Sequence, residues 1–393
     1  MAVTIYQEPQ LASPASNPLV FTFASDQTAQ VNFSYVIEVY VNASLHSTHK
    51  VFPESDVYSR FDCSEIMKSV VESQNPAVDA LNYNADAAWT EYYIKVFESY
   101  GEPIAIEADA TSSALTTFNG SLRHIDFISW DYSLYDPYQT AGALFLTSFP
   151  RDQKYMVGMS DRTFLSVLNP AESSLDLNIE LFDITGASIA TDTIPIDNYY
   201  LTMIDVSPDS LMNNMSFTIG NFESCYYYEV EVSTSTGFET EKFKMYVDHS
   251  CERFTNYRLH WLNKFGAWDS FSFNLLSQES TDIASSQYKR EKGVWKGDGF
   301  LYNRNRGELM TIAKWSTDKL TLNSDWMKEA VQNWLVRELN ESQKVNLYID
   351  DTSDFEPVNI ESTNVVLKKK YSSGLLQENV VITRTYSYTS QLN

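Results

Sequence analysis

At 393 residues, with 43% apolar, 14% aromatic and only 20% charged side chains, the chain is too long for one ordinary core and too apolar for a disordered polymer. Two or three folded domains are expected, and 25 tyrosines with 22 phenylalanines favour strands, where flat rings pack well on pleated surfaces. The net charge of −24 falls within residues 1–240, with 8 Lys+Arg against 32 Asp+Glu, whereas residues 241–393 hold 20 of each; so acidic a first part repels phosphate backbones and excludes nucleic-acid binding through it.

The opening stretch MAVTIYQEPQLASPASNPLV has neither a basic leader nor a continuous apolar core, so no secretory signal is expected. No run approaches the roughly 18 apolar residues of a membrane helix, and no membrane partner is expected. Three scattered cysteines, Cys63, Cys225 and Cys251, predict a thiol-reduced protein made in a cytoplasm. LVFTF reads as a strand, and in VNFSYVIEVYV the residues Val31, Phe33, Tyr35, Ile37, Val39 and Val41 share one face of a second. FDCSEIMKSVVES predicts a short helix capped by Asp62, with Glu65 three residues on and Phe61 and Ile66 as a hydrophobic staple. TEYYIKVFESYGEPI returns to strand, with Gly101 at the turn.

From about residue 116 the apolar runs HIDFISW, GALFLTSF, KYMVGMS and TFLSVLN read as short strands ended by turn residues. LDLNIELFDITGASIATDTIPI predicts a hairpin turning at Thr185-Gly186, and YYYEVEVSTSTGFETEKFKMYV another with Gly237 near its tip. Strands at roughly 8–12-residue spacing indicate β-sandwiches. Beyond residue 250, NSDWMKEAVQNWLVREL predicts an amphipathic helix with Ser324 as N-cap and Trp326, Met327, Ala330, Val331, Trp334, Leu335 and Leu339 on its apolar face. VNLYID, VNIES, NVVLKKKY and NVVITRTYSY follow as strands, the last with its alternation broken at Arg384. The expected fold is mainly β, several Ig-like β-sandwich domains with two short-to-medium helices: residues 1–115, 116–249 and 250–393.

Chemistry is sparsely signalled. His46 and His49 lie three apart in a polar segment and would share a metal only on a helix and with a further ligand. GDGFLYNRNRG lacks the lysine and strand–helix setting of a phosphate loop, so Gly297 and Gly299 are expected to make a tight turn before Phe300. WDYSLYDPY sets Asp131 and Asp136 among Trp130, Tyr132, Tyr135 and Tyr138, which suits sugar stacking and an acid/base pair. Carboxylates are so common here that such pairs also arise by chance, and aromatic-flanked aspartates cap strand ends. Asp350, Asp351 and Asp354 in YIDDTSDFE lack the glycine and final glutamate of an EF-hand loop. The expectation is no enzyme, with no catalytic, cofactor-binding or metal-binding residue and no cofactor.

RLHWLNKFGAWDSFSF, residues 258–273, reads as a hairpin corner in which Gly266 supplies positive φ, Asp269 bonds amides across the turn, and Trp261 and Trp268 cover the flank; a ligand loop is the alternative. Trp261, Trp268, Trp326 and Trp334 are expected to hold the C-terminal domain together.

The WLN-x-x-G-x-W-D-S-F-x-F corner resembles a W-x-N-x-x-G-G-x-D element of virion structural proteins of tailed bacteriophages infecting Bacteroidetes, crAss-like or related, with Ala267 in place of the second glycine. NPLVFTF…VNFSYVIEVYVN with FDCSEIMKSVV is similar to that family's N-terminal strand pair and short helix, and YYIKVFESYGE to its aromatic strand. FNGSL…FLTSFP is similar to its middle, and LNSDWMKEAVQNWLVRELNESQKVNLYI with FEPVNIES to its C-terminal helix-and-strand unit. The resemblance implies a β-rich component of the tail, baseplate or neck, assembled in the bacterial host cytoplasm into the virion with copies of itself and other virion proteins. A host-glycan binding or cleaving tail protein and a capsid decoration protein are the alternatives.

Overall fold

The computed structural model describes residues 3–54, 58–77, 80–250, 253–302, 308–349, 354–361 and 374–389. The fold is mainly β, built of largely antiparallel sheets, as the strand-rich composition and short alternating runs predict. It divides into two compact units: Met1–Ser250 with His260–Phe271, and Cys251–Leu259 with Ser272–Asn393.

In the first unit, the three-stranded sheet Thr4–Gln7, Val20–Ala24, Ser59–Asp62 shares a core with a six-stranded sheet. That larger sheet runs Ala12–Pro14, Leu115–Phe118, Trp89–Tyr100, Ser34–Val41, Ser44–Val51, with Ala105–Thr111 also on Trp89–Tyr100. Alternation decides which face is inward: Tyr35, Ile37 and Val39 meet Tyr92, Ile94 and Val96 in one buried cluster with Phe21 and Phe23. Phe23 stands edge-on to Tyr35 at 4.8 Å between ring centroids. The second strand starts at Ser34 rather than Val31, because Asn32 turns the backbone at φ +60° and leaves Val31 exposed.

A five-stranded sheet, Tyr155–Val157, Phe243–Val247, Tyr227–Thr234, Leu175–Phe182, Ser188–Ile196, belongs to the same unit with the three-stranded sheet Phe164–Leu168, Leu201–Asp205, Asn82–Asn84. The Tyr228 hydroxyl donates to Val206 O at 2.7 Å and links the two layers. Both expected hairpins form, with Gly186 at φ +82° and Gly237 at φ +84° in their turns. Asn82–Asn84 pairs with Leu201–Asp205, and the Trp89 ring stacks on Tyr200 at 4.4 Å. These cross-connections explain why no unit boundary falls at residues 115/116. The later boundary falls inside strands Tyr257–Leu262 and Trp268–Phe273 rather than at residue 250, because the corner between them packs with the first unit.

The described residues hold five α-helices rather than the two expected. His124–Ile128, read as strand, is a helical turn with Ile125 and Ile128 exposed, and residues 145–149 form a buried irregular segment. The first helix is Ser64–Lys68; Cys63, not Asp62, occupies the cap position, while Asp62 still accepts from Ser64 N at 2.9 Å and Leu19 N at 3.0 Å. Ser207 and Thr218 cap Pro208–Asn214 and Ile219–Ser224.

In the second unit, antiparallel pairing runs Val345–Ile349, Asp354–Ile360, Asn379–Thr389, Leu309–Asn323, Gln278–Lys289, beside the small hairpin Gly293–Lys296/Gly299–Tyr302. Helix Glu329–Glu341 buries Val331, Trp334, Leu335 and Leu339. It starts later than expected because Ser324–Met327 bonds as extended chain: Ser324 N to Glu378 O at 2.9 Å, Met327 N to Leu376 O at 2.8 Å. Trp326 is consequently 57% exposed, and Trp261 and Trp268 lie in the first unit, so of the four tryptophans expected to hold the C-terminal domain only Trp334 is buried in the second unit. NVVLKKKY lies outside the described residues, as do Cys251, Asp350 and Asp351.

Candidate functional site

The two segments that stand out in the sequence, Trp130–Tyr138 and Arg258–Phe273, meet at the corner. Asn263 organises the turn: its side-chain oxygen accepts from Phe265 N at 2.9 Å and Ala267 N at 3.1 Å, while its amide donates to Leu146 O at 3.0 Å. Gly266 takes φ +73° and passes so near residue 119 that an added Cβ would lie 2.0 Å from Asn119 O. Ser121 N donates to Lys264 O at 2.8 Å, and Lys264 Nζ lies 2.9 Å from Asp126. Phe265 then packs on Trp130 at 6.1 Å and Tyr135 at 5.4 Å between centroids.

Every polar group of the cluster with a described partner is used to hold chain. Trp130 Nε1 donates to Ala12 O at 3.0 Å, and Trp130 O accepts from Gln10 Nε2. Exposed Asp131 accepts from Ser133 N at 3.0 Å and Oγ at 2.8 Å as the cap of a helical turn. Buried Asp136 accepts from Tyr138 N at 2.8 Å, and burial raises its pKa above the ordinary aspartate value. Asp269 is buried as well and accepts from Ser148 Oγ at 2.8 Å and Ser148 N at 3.2 Å; desolvation raises its pKa against these bonds. The alternation expected of WDSFSF is overridden here, since Trp268 and Asp269 point to opposite faces and both are buried. Trp268 Nε1 donates to Gln74 O at 2.8 Å. The hairpin corner forms as expected, but Asn263 rather than Asp269 bonds the amides of the turn; Asp269 instead braces Ser148 of a segment distant in sequence.

His46 and His49 lie on strand Ser44–Val51 rather than a helix, with His46 the extra residue at a break in the pairing register. His49 meets Ser47 Oγ at 2.9 Å and the Phe61 ring at 5.3 Å. Among the described residues no three His, Cys, Asp or Glu side chains gather as metal ligands. Asp354 accepts from Phe355 N. Gly297, at φ +57°, makes the tight hairpin turn expected before Phe300.

A different surface went unread in the sequence. Gln278–Lys289 has no buried residue along its twelve positions, and neither does Leu309–Lys319 of the strand beside it. Large apolar side chains nevertheless stand on these strands and their neighbours: Ile283 is 69% exposed, Trp295 67%, Tyr302 76%, Tyr386 72% and Tyr388 66%, with Trp315 less open at 43%. Register partners share a face, so Trp315 stands with Ala284 and Thr389 on one side, and Ile283 with Ser316 and Tyr388 on the other. The exposed apolar side chains are thus divided between the two faces of the sheet and the small hairpin, and none of them is covered within the described residues. The sequence carries little signal for it, since only Thr281, Ile283 and Tyr288 of QESTDIASSQYK favour strands and the run shows no polar–apolar alternation.

No family model matches the chain, and no curated protein matches it significantly.

Proposed function

We propose that this chain is a structural component of a tailed bacteriophage particle, in the tail, baseplate or neck, and that it acts by assembly with copies of itself and with other virion proteins. One observation carries the assembly half of this reading: the open strands Gln278–Lys289 and Leu309–Lys319, with Trp315, Tyr388 and Ile283 exposed on their two faces. The phage half rests on the resemblance of the WLN-x-x-G-x-W-D-S-F-x-F corner. The cluster at Trp130 supports assembly over glycan cleavage, because Asp131 and Asp136 each cap local backbone.

Mass spectrometry of purified particles from the source tests the reading. A small fixed ratio to the major capsid protein, on the order of a ring or two per particle, is expected. Copies in the hundreds would transfer the chain to head decoration, and absence from particles would overturn the structural role. Half-exposed Tyr132 beside exposed Asp131 keeps a host-glycan reading open to test: glycan-array binding lost in Tyr132→Ala with the fold intact would favour it.

A further inference from the structure

The strand Gln278–Lys289 ends its sheet. Among the described residues it pairs only with Leu309–Asn323, so its outer edge presents backbone donors and acceptors to solvent. Natural edges are usually blunted by proline, bulges or inward charge. This one has neither proline nor glycine over twelve residues. The single irregularity of its pairing, at Ser286/Gln287, inserts the extra residue Ile312 in the neighbouring strand and leaves the edge strand regular. Its central side chains, Ala284, Ser285 and Ser286, are small and leave the edge open to close approach by another backbone.

We propose that Gln278–Lys289 pairs edge to edge and antiparallel with the same strand of a second copy of this chain, joining two sheets across a twofold axis. The proposal deepens the assembly reading above and rests on it for its biological setting. Charge placement selects the partner and the direction. Glu279 and Asp282 lie towards one end of the strand, Lys289 at the other. Within the chain Asp282 also meets Lys319 Nζ at 2.6 Å and Lys289 meets Glu308 at 2.7 Å, both pairs at the surface, so Lys289 would be shared between Glu308 and the Glu279 of the second copy. Antiparallel self-pairing sets opposite signs together, whereas parallel pairing would set like against like. A twofold axis perpendicular to the sheet keeps each face on its own side, so facing residues must have equal parity. Centring the axis on Ala284 meets that condition, overlaps residues 279–289 completely, and places Glu279 of each copy opposite Lys289 of the other. Ala284 shares its face with Trp315, so the two Trp315 side chains flank the join on one face of the continuous sheet. The strand belongs to the charge-balanced part of the sequence, residues 241–393, rather than to the acidic first part, which lowers the long-range repulsion between copies at this edge.

The test uses the purified full chain in sedimentation equilibrium, with circular dichroism confirming the fold of each variant. The wild type should self-associate as a dimer. Glu279→Lys and Lys289→Glu, both at exposed positions, should each weaken dimerisation at least tenfold, because each sets two like charges opposite each other. An equimolar mixture of the two variants should recover the dimer, since every facing pair is again of opposite sign. A wild type monomeric up to about 100 μM, or a dimer indifferent to both variants, overturns the proposal. Monomers in solution from a chain that is nevertheless found in particles would sink the self-pairing and leave the assembly reading standing. A dimer with this charge response from a chain absent from particles would do the reverse.

Discussion

Replacement of Gly266 by Ala tests the corner most directly. The new Cβ would sit 2.0 Å from Asn119 O and 2.7 Å from Asn119 C, both backbone atoms with no side chain free to swing aside. The positive φ of +73° adds about 1–2 kcal/mol for any residue with a Cβ. Relief requires the turn to lift off, which weakens the Ser121 N–Lys264 O bond, about 1 kcal/mol, and the packing of Phe265 on Trp130 and Tyr135, about 1 kcal/mol per ring pair. Together these predict a loss of about 3–5 kcal/mol from the first unit. Gly186→Ala is the internal control: its φ is +82°, but nothing lies within 4 Å of the added Cβ, so strain alone should cost about 1–2 kcal/mol. In calorimetry the unit's melting temperature should fall by roughly 10 °C for Gly266→Ala and roughly 4 °C for Gly186→Ala. Hydrogen exchange at the Ser121 amide should accelerate only in the first. Equal shifts for the two variants would refute the argument that close backbone approach, rather than φ alone, demands glycine at 266.

Trp268→Ala should cost about 3–5 kcal/mol in chemical denaturation, since the ring is 2% exposed and its Nε1 bonds Gln74 O, whereas Trp326→Ala at an exposed ring should stay within about 0.5 kcal/mol. Burial pushes Asp205 up to about 6 despite Arg162 Nη1 at 3.1 Å and bonds from Ser207. Its folded pKa exceeds the ordinary 3.8, so the folded state holds the proton more tightly and its stability contribution declines as pH rises from about 4 to about 6, by on the order of 3 kcal/mol. The wild type should therefore lose stability relative to Asp205→Asn across that window; denaturation midpoints whose difference stays constant from pH 4 to 7 would contradict it. Cys63 and Cys225 are buried and desolvation raises both thiols, Cys225 to about 11, so native protein at pH 7 should resist alkylation at these sites and react fully in denaturant. Rapid labelling of either in the folded chain would show the burial to be wrong.

Where a strand has one wet and one dry face, its pattern was readable. Tyr35, Ile37 and Val39 or Leu177, Ile179 and Leu181 alternate because each second residue meets a core, and the hairpin turns at Gly186 and Gly237 carry the positive φ expected of them. The corner was legible for a similar reason, since glycine after a polar turn has a local cause. Gln278–Lys289 was not legible, because both of its faces are exposed and burial imposes no period. Helices Pro208–Asn214 and Ile219–Ser224 did leave signals, Ser207-Pro208 and Thr218 with Asn221, but each spans fewer than three turns and shows too little amphipathic repeat to be noticed. His124–Ile128 misled for the opposite reason: an apolar run of strand-like composition became a helical turn with two isoleucines exposed.

The sequence by itself determined the β class, the acidic first part, the turn glycines and the structural character of the Trp261–Trp268 corner, because these follow from local conformation, composition and short-range alternation. Only the tertiary structure decided that Asn82–Asn84 joins Leu201–Asp205, that the corner packs with the first unit, and that Asp269 is buried against Ser148. Those facts depend on residues more than a hundred positions apart meeting in space, and nothing in a local pattern records which distant backbone will supply the hydrogen bond.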